Sequence, residues 1–374
     1  MKKIKKLIIL LLIFIAINII IPGKIYAEEN LENIKGKYGI SDFLEEAQKY
    51  NEDLEISEIF NSSLSGKFDN NKILKFFTKH INKNLKQAIL TLSGIIIIVI
   101  INSILKAISE NLGNENVSNI AFYVQYILIV TLIMKNFSDV IVSVKSSIQN
   151  LNTFSNALIP LMTTLMIATG NITTSSVLEP ILIFIVTFIG NFISNVLIPI
   201  ILVSTAIGII SKVSSQVQIT KLSNFMKKSS TWILTTVLAI FISIASLEGG
   251  LTGSLDGITK KASKSVISAV VPVVGNILGD AVETILGYSN IIKNAVGIVG
   301  ILIITGICIK PIISLAMLTI TYYLGAALCE PIADERVVGI IEQMASTFKT
   351  LLAVMFSATT MIIVGLALVM KITS

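Results

Sequence analysis

Residues 88–105 read AILTLSGIIIIVIINSIL, an uncharged stretch close to the length of a membrane-crossing helix. Eight further apolar blocks follow it: Ile120–Met134, Ala157–Thr169, Val177–Ile210, Trp232–Ser246, Val266–Leu278, Ala295–Ile309, Pro311–Leu328 and Leu351–Met370. A helix that satisfies its own backbone hydrogen bonds is the simplest way to place such blocks in lipid. The pattern predicts an all-α, polytopic membrane domain over residues 88–374.

The composition supports this class. Of 374 residues, 53% are hydrophobic and only 14% are charged, whereas soluble domains are about a quarter charged. Soluble enzymes and extended disordered proteins are therefore excluded. The 29 basic residues exceed the 23 acidic ones modestly and lie in many short loops, which favours lipid headgroups over nucleic acid as the partner.

The chain has little material for catalysis. It contains one histidine, His80, and two cysteines, Cys308 and Cys329, so neither a metal site nor a disulfide framework is expected. Phosphate-binding G-x-x-x-x-G-K-[ST], zinc-binding H-E-x-x-H and nucleophile-bearing G-x-S-x-G motifs are all missing. We expect no enzymatic activity, no cofactor and no ATP-driven transport by this chain.

The N-terminus has the features of a secretory signal. Four lysines precede the apolar run from Leu7 to Ile21, and Pro22 and Gly23 follow it. We interpret residues 1–27 as a signal peptide, with an uncleaved anchor as the alternative. In either case the segment 28–87 is expected outside the cytoplasm.

The end of that segment predicts a basic amphipathic helix. Ile73, Phe77, Ile81 and Leu85 recur at helical spacing among lysines. Such a helix can lie on the lipid headgroups or pack on the membrane domain, and the sequence leaves both open.

Two of the apolar blocks are short, contain proline and align with each other. Pro160 matches Pro272 at an offset of 112 residues, and the same offset carries Pro199 onto Pro311. This predicts an internal repeat with helices broken by proline and glycine, a pattern typical of transport proteins. A unit of three crossings would be inverted and a unit of four would be parallel. The lysine loop at 212–228 has no acid and is expected in the cytoplasm. Counted from residue 87 outside the cytoplasm, a unit of four crossings places that loop inside, so four crossings are favoured weakly.

Charges beside apolar blocks are candidates for a pathway or a partner-facing surface, because an ionisable group in lipid is costly. They are Glu179, Asp280, Glu283 and Glu330. Gly275 and Gly279 precede the Asp280–Glu283 pair and, with Pro160 and Pro272, mark the predicted breaks. Wetted residues at span ends are the alternative interpretation.

Several segments resemble the stage III sporulation protein AE family of endospore-forming bacteria. They are QITKLSNFMKK at 218–228, EGGLTGSLDG at 248–257, PVVGNILGDAVETILG at 272–287, KNAVG at 293–297 and EPIADER at 330–336. The last adds Asp334 and Arg336 to the candidate residues.

This resemblance implies a role in the mother-cell membrane around the forespore. Family members belong to a complex that, with other stage III proteins and a forespore partner, connects the two cells and supports late forespore gene expression. The resemblance implies the permease-like membrane component. A free-standing secondary transporter or exporter and a membrane scaffold remain alternatives, and among the partners a second copy of the chain, in a homo-oligomer, stays open.

Overall fold

The structure is a computed structural model that describes residues 39–51, 55–65, 70–111, 115–213, 219–241, 243 and 275–371. These residues are helical apart from short turns, and no strand occurs among them. The helices are α1 (Ile40–Tyr50), α2 (Ile56–Ser65), α3 (Asn70–Asn111), α4 (Glu115–Ala168), α5 (Ile172–Phe192), α6 (Ile198–Val213), α7 (220–241), α8 (Gly275–Cys329) and α9 (Glu335–Lys371), with a π-helical turn at Ile193–Leu197 between α5 and α6. Within the described part, five helical segments are long and apolar enough to cross a membrane, which confirms the all-α membrane class.

The helices are longer than the apolar blocks suggested. Helices α4 and α8 contain 54 and 55 residues, about 80 Å each, whereas the hydrocarbon core of a bilayer is about 30 Å thick. The blocks Ile120–Met134 and Ala157–Thr169 both lie in α4, and the blocks Ala295–Ile309 and Pro311–Leu328 both lie in α8. A helix of this length must extend beyond the hydrocarbon core.

The predicted break at Pro160 is wrong. Helix α4 continues through Pro160 and ends at Ala168, and the chain reverses at residues 169–171, where Gly170 has φ 79°. Proline removes a single backbone donor, but unwinding a helix in lipid would leave several polar groups without partners. Glycine at the turn adopts the left-handed conformation that other residues resist.

The favoured four-crossing unit is also wrong, because one helix cannot reverse direction between Met134 and Ala157. Helices α5 and α6 instead form one helical traverse from Ile172 to Val213, joined by the π-helical turn just before Pro199. This traverse is the condition that the three-crossing unit required.

The directions of the long helices follow from their contacts. Helix α8 is antiparallel to α9, since the short link at 330–334 joins them at one end and Lys293 bonds to Met370 at the other. The traverse 172–213 is antiparallel to α9 as well, because Leu182 lies beside Gly365 and Lys212 lies beside Gly339. Consequently 172–213 and its counterpart at the offset of 112, residues 284–325 of α8, run in the same direction, which does not fit the inverted copies expected of a three-crossing unit. The duplication itself stays a prediction, since Pro272 lies outside the described residues.

Helices α1 and α2 pack on the long helices. The rings of Phe43 and Tyr50 lie 5.8 and 5.6 Å from that of Phe154 in α4. At the end of α1, Asn51 Nδ2 donates to the main-chain oxygen of Ile303 at 3.2 Å, and its amide lies over Gly306. The described part of the predicted extracytoplasmic segment is therefore fixed to the central helix α8.

The predicted amphipathic helix is the first part of α3 and is continuous with the first span. Phe76 is buried against Ile309 and Ile313 of α8. Ile81 and Leu85 of the predicted stripe are 43% and 44% exposed. These two side chains face outward because lipid solvates apolar side chains as well as a protein interior does, so an apolar stripe does not mark the packed face.

Candidate polar sites in the helical bundle

Pro160 and Glu179, two of the predicted residues, meet at one hydroxyl group. Thr163 Oγ1 lies 3.0 Å from the main-chain oxygen of Pro160 and 2.7 Å from Oε2 of Glu179. Ser175 Oγ donates to the main-chain oxygen of Thr163 at 2.7 Å. Thr163 and Ser175 are fully buried and Glu179 is half-buried. The contacts fasten the start of α5 to the end of α4 across the turn at 169–171.

Asp334 and Arg336 form a second site at the opposite end of the bundle. Asp334 Oδ1 accepts from the main-chain nitrogen of Arg336 at 3.0 Å, as an N-cap does, and from Arg336 Nε at 3.1 Å. Arg336 Nη2 donates to Oδ2 at 3.3 Å. Glu330 is exposed in the same loop. The pair starts helix α9 locally, and the side chain of Arg336 is 44% exposed.

The remaining predicted residues are only partly described. Gly275 and Gly279 lie in the first turns of α8, which runs through Gly279 without a break. Asp280 and Glu283 belong to the same helix, but their side chains are outside the described part, as is the whole of Pro272. Their role in a pathway stays a prediction.

The sequence did not reveal a buried polar network between α6, α7 and α9. Ser204 Oγ donates to the main-chain oxygen of Ser223 and Ser223 Oγ to that of Ser204, both at 2.7 Å. Gln343 Nε2 donates to Ser223 Oγ at 2.9 Å and packs directly against Gly208, where a Cβ atom would clash with it. Thr205 and Thr347 join their hydroxyls at 3.0 Å. Polar residues inside apolar blocks were the available signal, but their spacing does not show which helices they connect.

Lys227 extends this network and was also missed. Its Nζ donates to the main-chain oxygen of Gln343 at 3.1 Å, and the side chain is only 5% exposed. Lys227 precedes the apolar block Trp232–Ser246 and lies outside the five candidate spans. Burial lowers the pKa of Lys227 to about 8.

Two further buried contacts join the central helix to its neighbours. Asn136 Nδ2 lies 3.2 Å from Tyr322 Oη and 3.3 Å from Thr91 Oγ1, which connects α3, α4 and α8. Lys293, fully buried in α8, donates to the main-chain oxygens of Val369 and Met370 at 3.4 and 3.0 Å. Both carbonyls lie in the last turn of α9.

These polar contacts hold the helices together, and charged side chains lie at both ends of the bundle, Glu179 at one and Asp334 and Arg336 at the other. Among the described residues, no group of three or more His, Cys, Asp or Glu side chains could hold a metal ion. The buried polar side chains of the network bond to one another and to backbone carbonyls, which satisfies groups that lipid cannot.

Long apolar helices joined by buried polar contacts define the class of polytopic α-helical membrane proteins. The chain belongs to the stage III sporulation protein AE family, whose model matches residues 54–373. It is 26% identical over 278 residues to the stage III sporulation protein AE of Bacillus subtilis (strain 168), which covers 74% of this chain and 70% of the relative. No solved structure matches it. The family match includes all five candidate spans and every predicted site residue.

Proposed function

We propose that this protein is the permease-like membrane component of a channel complex between the mother cell and the forespore. The observation that carries the proposal is the family match, because it extends over residues 54–373 and thus over the whole described membrane domain. The proposal places the chain in the mother-cell membrane around the forespore, with other stage III proteins and a forespore partner. It supports late forespore gene expression without an enzymatic step.

The geometry is compatible with a multi-helix component that partners can engage at both ends. Helices α4 and α8 exceed a bilayer in length, so the bundle presents folded surface beyond the hydrocarbon core. Asp334 and Arg336 lie at one end of it, and α1 and α2 are packed towards the other. Both surfaces are fixed by hydrogen bonds or aromatic contacts to the long helices.

A free-standing transporter and a scaffold are the alternatives. A coupled transporter would need an ionisable site in the middle of the membrane, and Glu179 instead lies within the first turns of α5. A scaffold would not need matching broken helices in two repeats, so such breaks would have argued against it. Helix α4 is continuous at Pro160, which removes that argument.

The test uses an endospore-forming host whose own copy of the gene is deleted. Expression of this chain should restore a late forespore reporter after engulfment, and the other stage III proteins should co-purify with it from detergent extracts. Purified protein alone in vesicles should move no solute. Restoration without co-purification, or solute movement by the protein alone, would overturn the proposal in favour of an independent transporter.

A tracer experiment with fluorescent solutes of graded size distinguishes a scaffold from a channel component. If the complex conducts, a small fluorescent solute loaded in the mother cell should enter the forespore only in the complemented strain. A restored reporter without any tracer entry would support a scaffold instead.

A further inference from the structure

A polar groove of about 630 Å³ lies between the end of α1, the first turns of α3 and the middle of α4 and α8. This volume is in the range of small-molecule sites. The charged or titratable side chains that line it are Lys49, Tyr50, His80, Asp139 and Lys310, and its polar side chains include Ser147 and Asn150. Neither family membership nor the proposed function assigns a ligand to this groove.

The groove is rich in donors that other residues leave unused. Within the described ranges, the side chains of Lys49, Lys310, Ser147 and Asn150 make no hydrogen bond or ion pair. His80 Nδ1 donates to the main-chain oxygen of Phe76 at 2.9 Å, because a carbonyl can only accept, and Nε2 is not used by that bond. Two lysines against one aspartate favour an anion.

Along α8 and α4, the groove lies about one hydrocarbon thickness from Cys329 and from Ile120, which mark the far end of the bundle. Lys310 separates the two apolar blocks of α8, and Cys329, where α8 ends, lies nineteen residues after it. Asp139 lies nineteen residues after Ile120, the start of the matching block of α4. Each distance is about 28 Å along a helix, close to the ~30 Å hydrocarbon core. If the hydrocarbon core covers Ile120–Met134 of α4 and Pro311–Leu328 of α8, the groove lies at the level of the lipid headgroups.

Exposed apolar side chains continue from the groove towards that far end. Val142 lines the groove and is 66% exposed, and Ile81 and Leu85 are exposed on the neighbouring helix α3. Beyond them, exposed isoleucines follow on both helices, including Ile89, Ile97 and Ile127. Acyl chains can lie along this surface while a headgroup occupies the groove.

We propose that this groove binds the phosphate of an anionic membrane phospholipid, with Lys49 and Lys310 contacting the phosphate. Basic pockets between membrane helices are suited to anionic headgroups, and lysine ammonium groups make charge-assisted hydrogen bonds to phosphate. Asp139 opposes the anion and limits the affinity. A free phosphate compound offers the same chemistry, but only a lipid also uses the apolar surface beside the groove.

The experiment measures binding to the full-length purified protein in detergent. The probe is fluorescent phosphatidylglycerol, with phosphatidylcholine of the same chains and inorganic phosphate as competitors. Phosphatidylglycerol should bind at least tenfold more tightly than phosphatidylcholine. The double variant Lys49→Gln, Lys310→Gln should lose at least tenfold in affinity, and Asp139→Asn should gain.

The matched control is Lys145→Gln, which removes the same charge from an exposed position of α4 that does not line the groove. Its affinity should stay within twofold, and circular dichroism should show equal helix content in every variant. Equal losses in Lys145→Gln and in the double variant would overturn the site, since they would show general attraction to lysines. Displacement by inorganic phosphate at low millimolar concentration would overturn the lipid as the ligand.

Discussion

Lys227 Nζ lies 3.1 Å from the main-chain oxygen of Gln343, although the two residues are 116 positions apart in the chain. The ammonium group of Lys227 on α7 thus bonds to the backbone of α9, beside the hydrogen bond from Gln343 Nε2 to Ser223 Oγ. A cation in this position joins helices at the cost of its own hydration. Stability should therefore depend on its protonation.

The first prediction concerns pH. Burial lowers the pKa of Lys227 to about 8 from the ordinary 10.5, so the unfolded chain binds its proton more tightly. The free energy of unfolding should rise as pH increases from about 8 to 10.5, by about 3 kcal/mol at most. Lys227→Met should abolish this rise, measured as the denaturation midpoint in detergent at pH 7, 8, 9 and 10. Lys228→Met, at an exposed neighbour, should retain it; an unchanged pH profile in Lys227→Met would contradict the prediction.

The second prediction concerns the close approach of α6 and α9. A Cβ atom at Gly208 would clash with Gln343 Nε2, so Gly208→Ala should expel that amide from its bond to Ser223. We expect a loss of about 1–3 kcal/mol, as for overpacking elsewhere. The control is Gly287→Ala, because that Cβ would have no neighbour within 4 Å. Thermal unfolding of the two variants should differ, and equal midpoints would show that the network is loose.

The third prediction concerns Thr163 and Glu179. Thr163→Val or Glu179→Ala removes their 2.7 Å contact and should cost about 1 kcal/mol. Glu179→Gln can still accept the hydrogen bond and should retain stability. Thr164→Val is the matched control, since Thr164 is exposed and bonds only to the backbone of its own helix. If Glu179→Gln lowers the forespore reporter while leaving stability unchanged, the charge of Glu179 itself has a function. If Thr164→Val destabilises the protein as much as Thr163→Val does, the contact between Thr163 and Glu179 has no special role.

The fourth prediction concerns the end of α9. Lys293→Met leaves the main-chain oxygens of Val369 and Met370 without this donor in a buried position, and should destabilise the protein by about 1–3 kcal/mol. Lys349→Met, at an exposed position on α9, should have little effect. Protease resistance of the C-terminal helix reports the difference, and equal resistance in both variants would argue against the contact.

The fifth prediction concerns orientation. The lysine-rich segment 212–228, which includes the end of α6 and the start of α7, is expected in the cytoplasm, but Ser223 is fully buried and would report nothing if replaced by cysteine. Asn224 is exposed, so Asn224→Cys should react with a membrane-impermeant thiol reagent only after cells are permeabilised. Lys49→Cys, on α1, should react in intact cells. Cys308 and Cys329 are buried and should give little background. Labelling of Asn224→Cys in intact cells would reverse the predicted orientation.

The positions of apolar blocks were sufficient to predict membrane helices, because each block must satisfy its backbone in lipid whatever its neighbours are. The block at 88–105 lies in α3 and the block Leu351–Met370 lies in α9, as the sequence predicts. Helix continuity was not predictable in the same way. The polar residues between Met134 and Ala157 resemble a loop. They nevertheless form the middle of α4, because packing on α8 stabilises the helix there.

Of the candidate residues, the sequence found those that stand out by type, such as Glu179 beside Pro180 and Asp334 before Arg336. It could not show that Thr163 joins Pro160 to Glu179, or that Ser204, Ser223 and Gln343 meet. By itself the sequence determined the class, the family and the apolar segments, since these depend on local composition and on motifs. Only the tertiary structure decided which polar groups face each other, because a serine or lysine on a helix satisfies the same local pattern whichever helix it contacts.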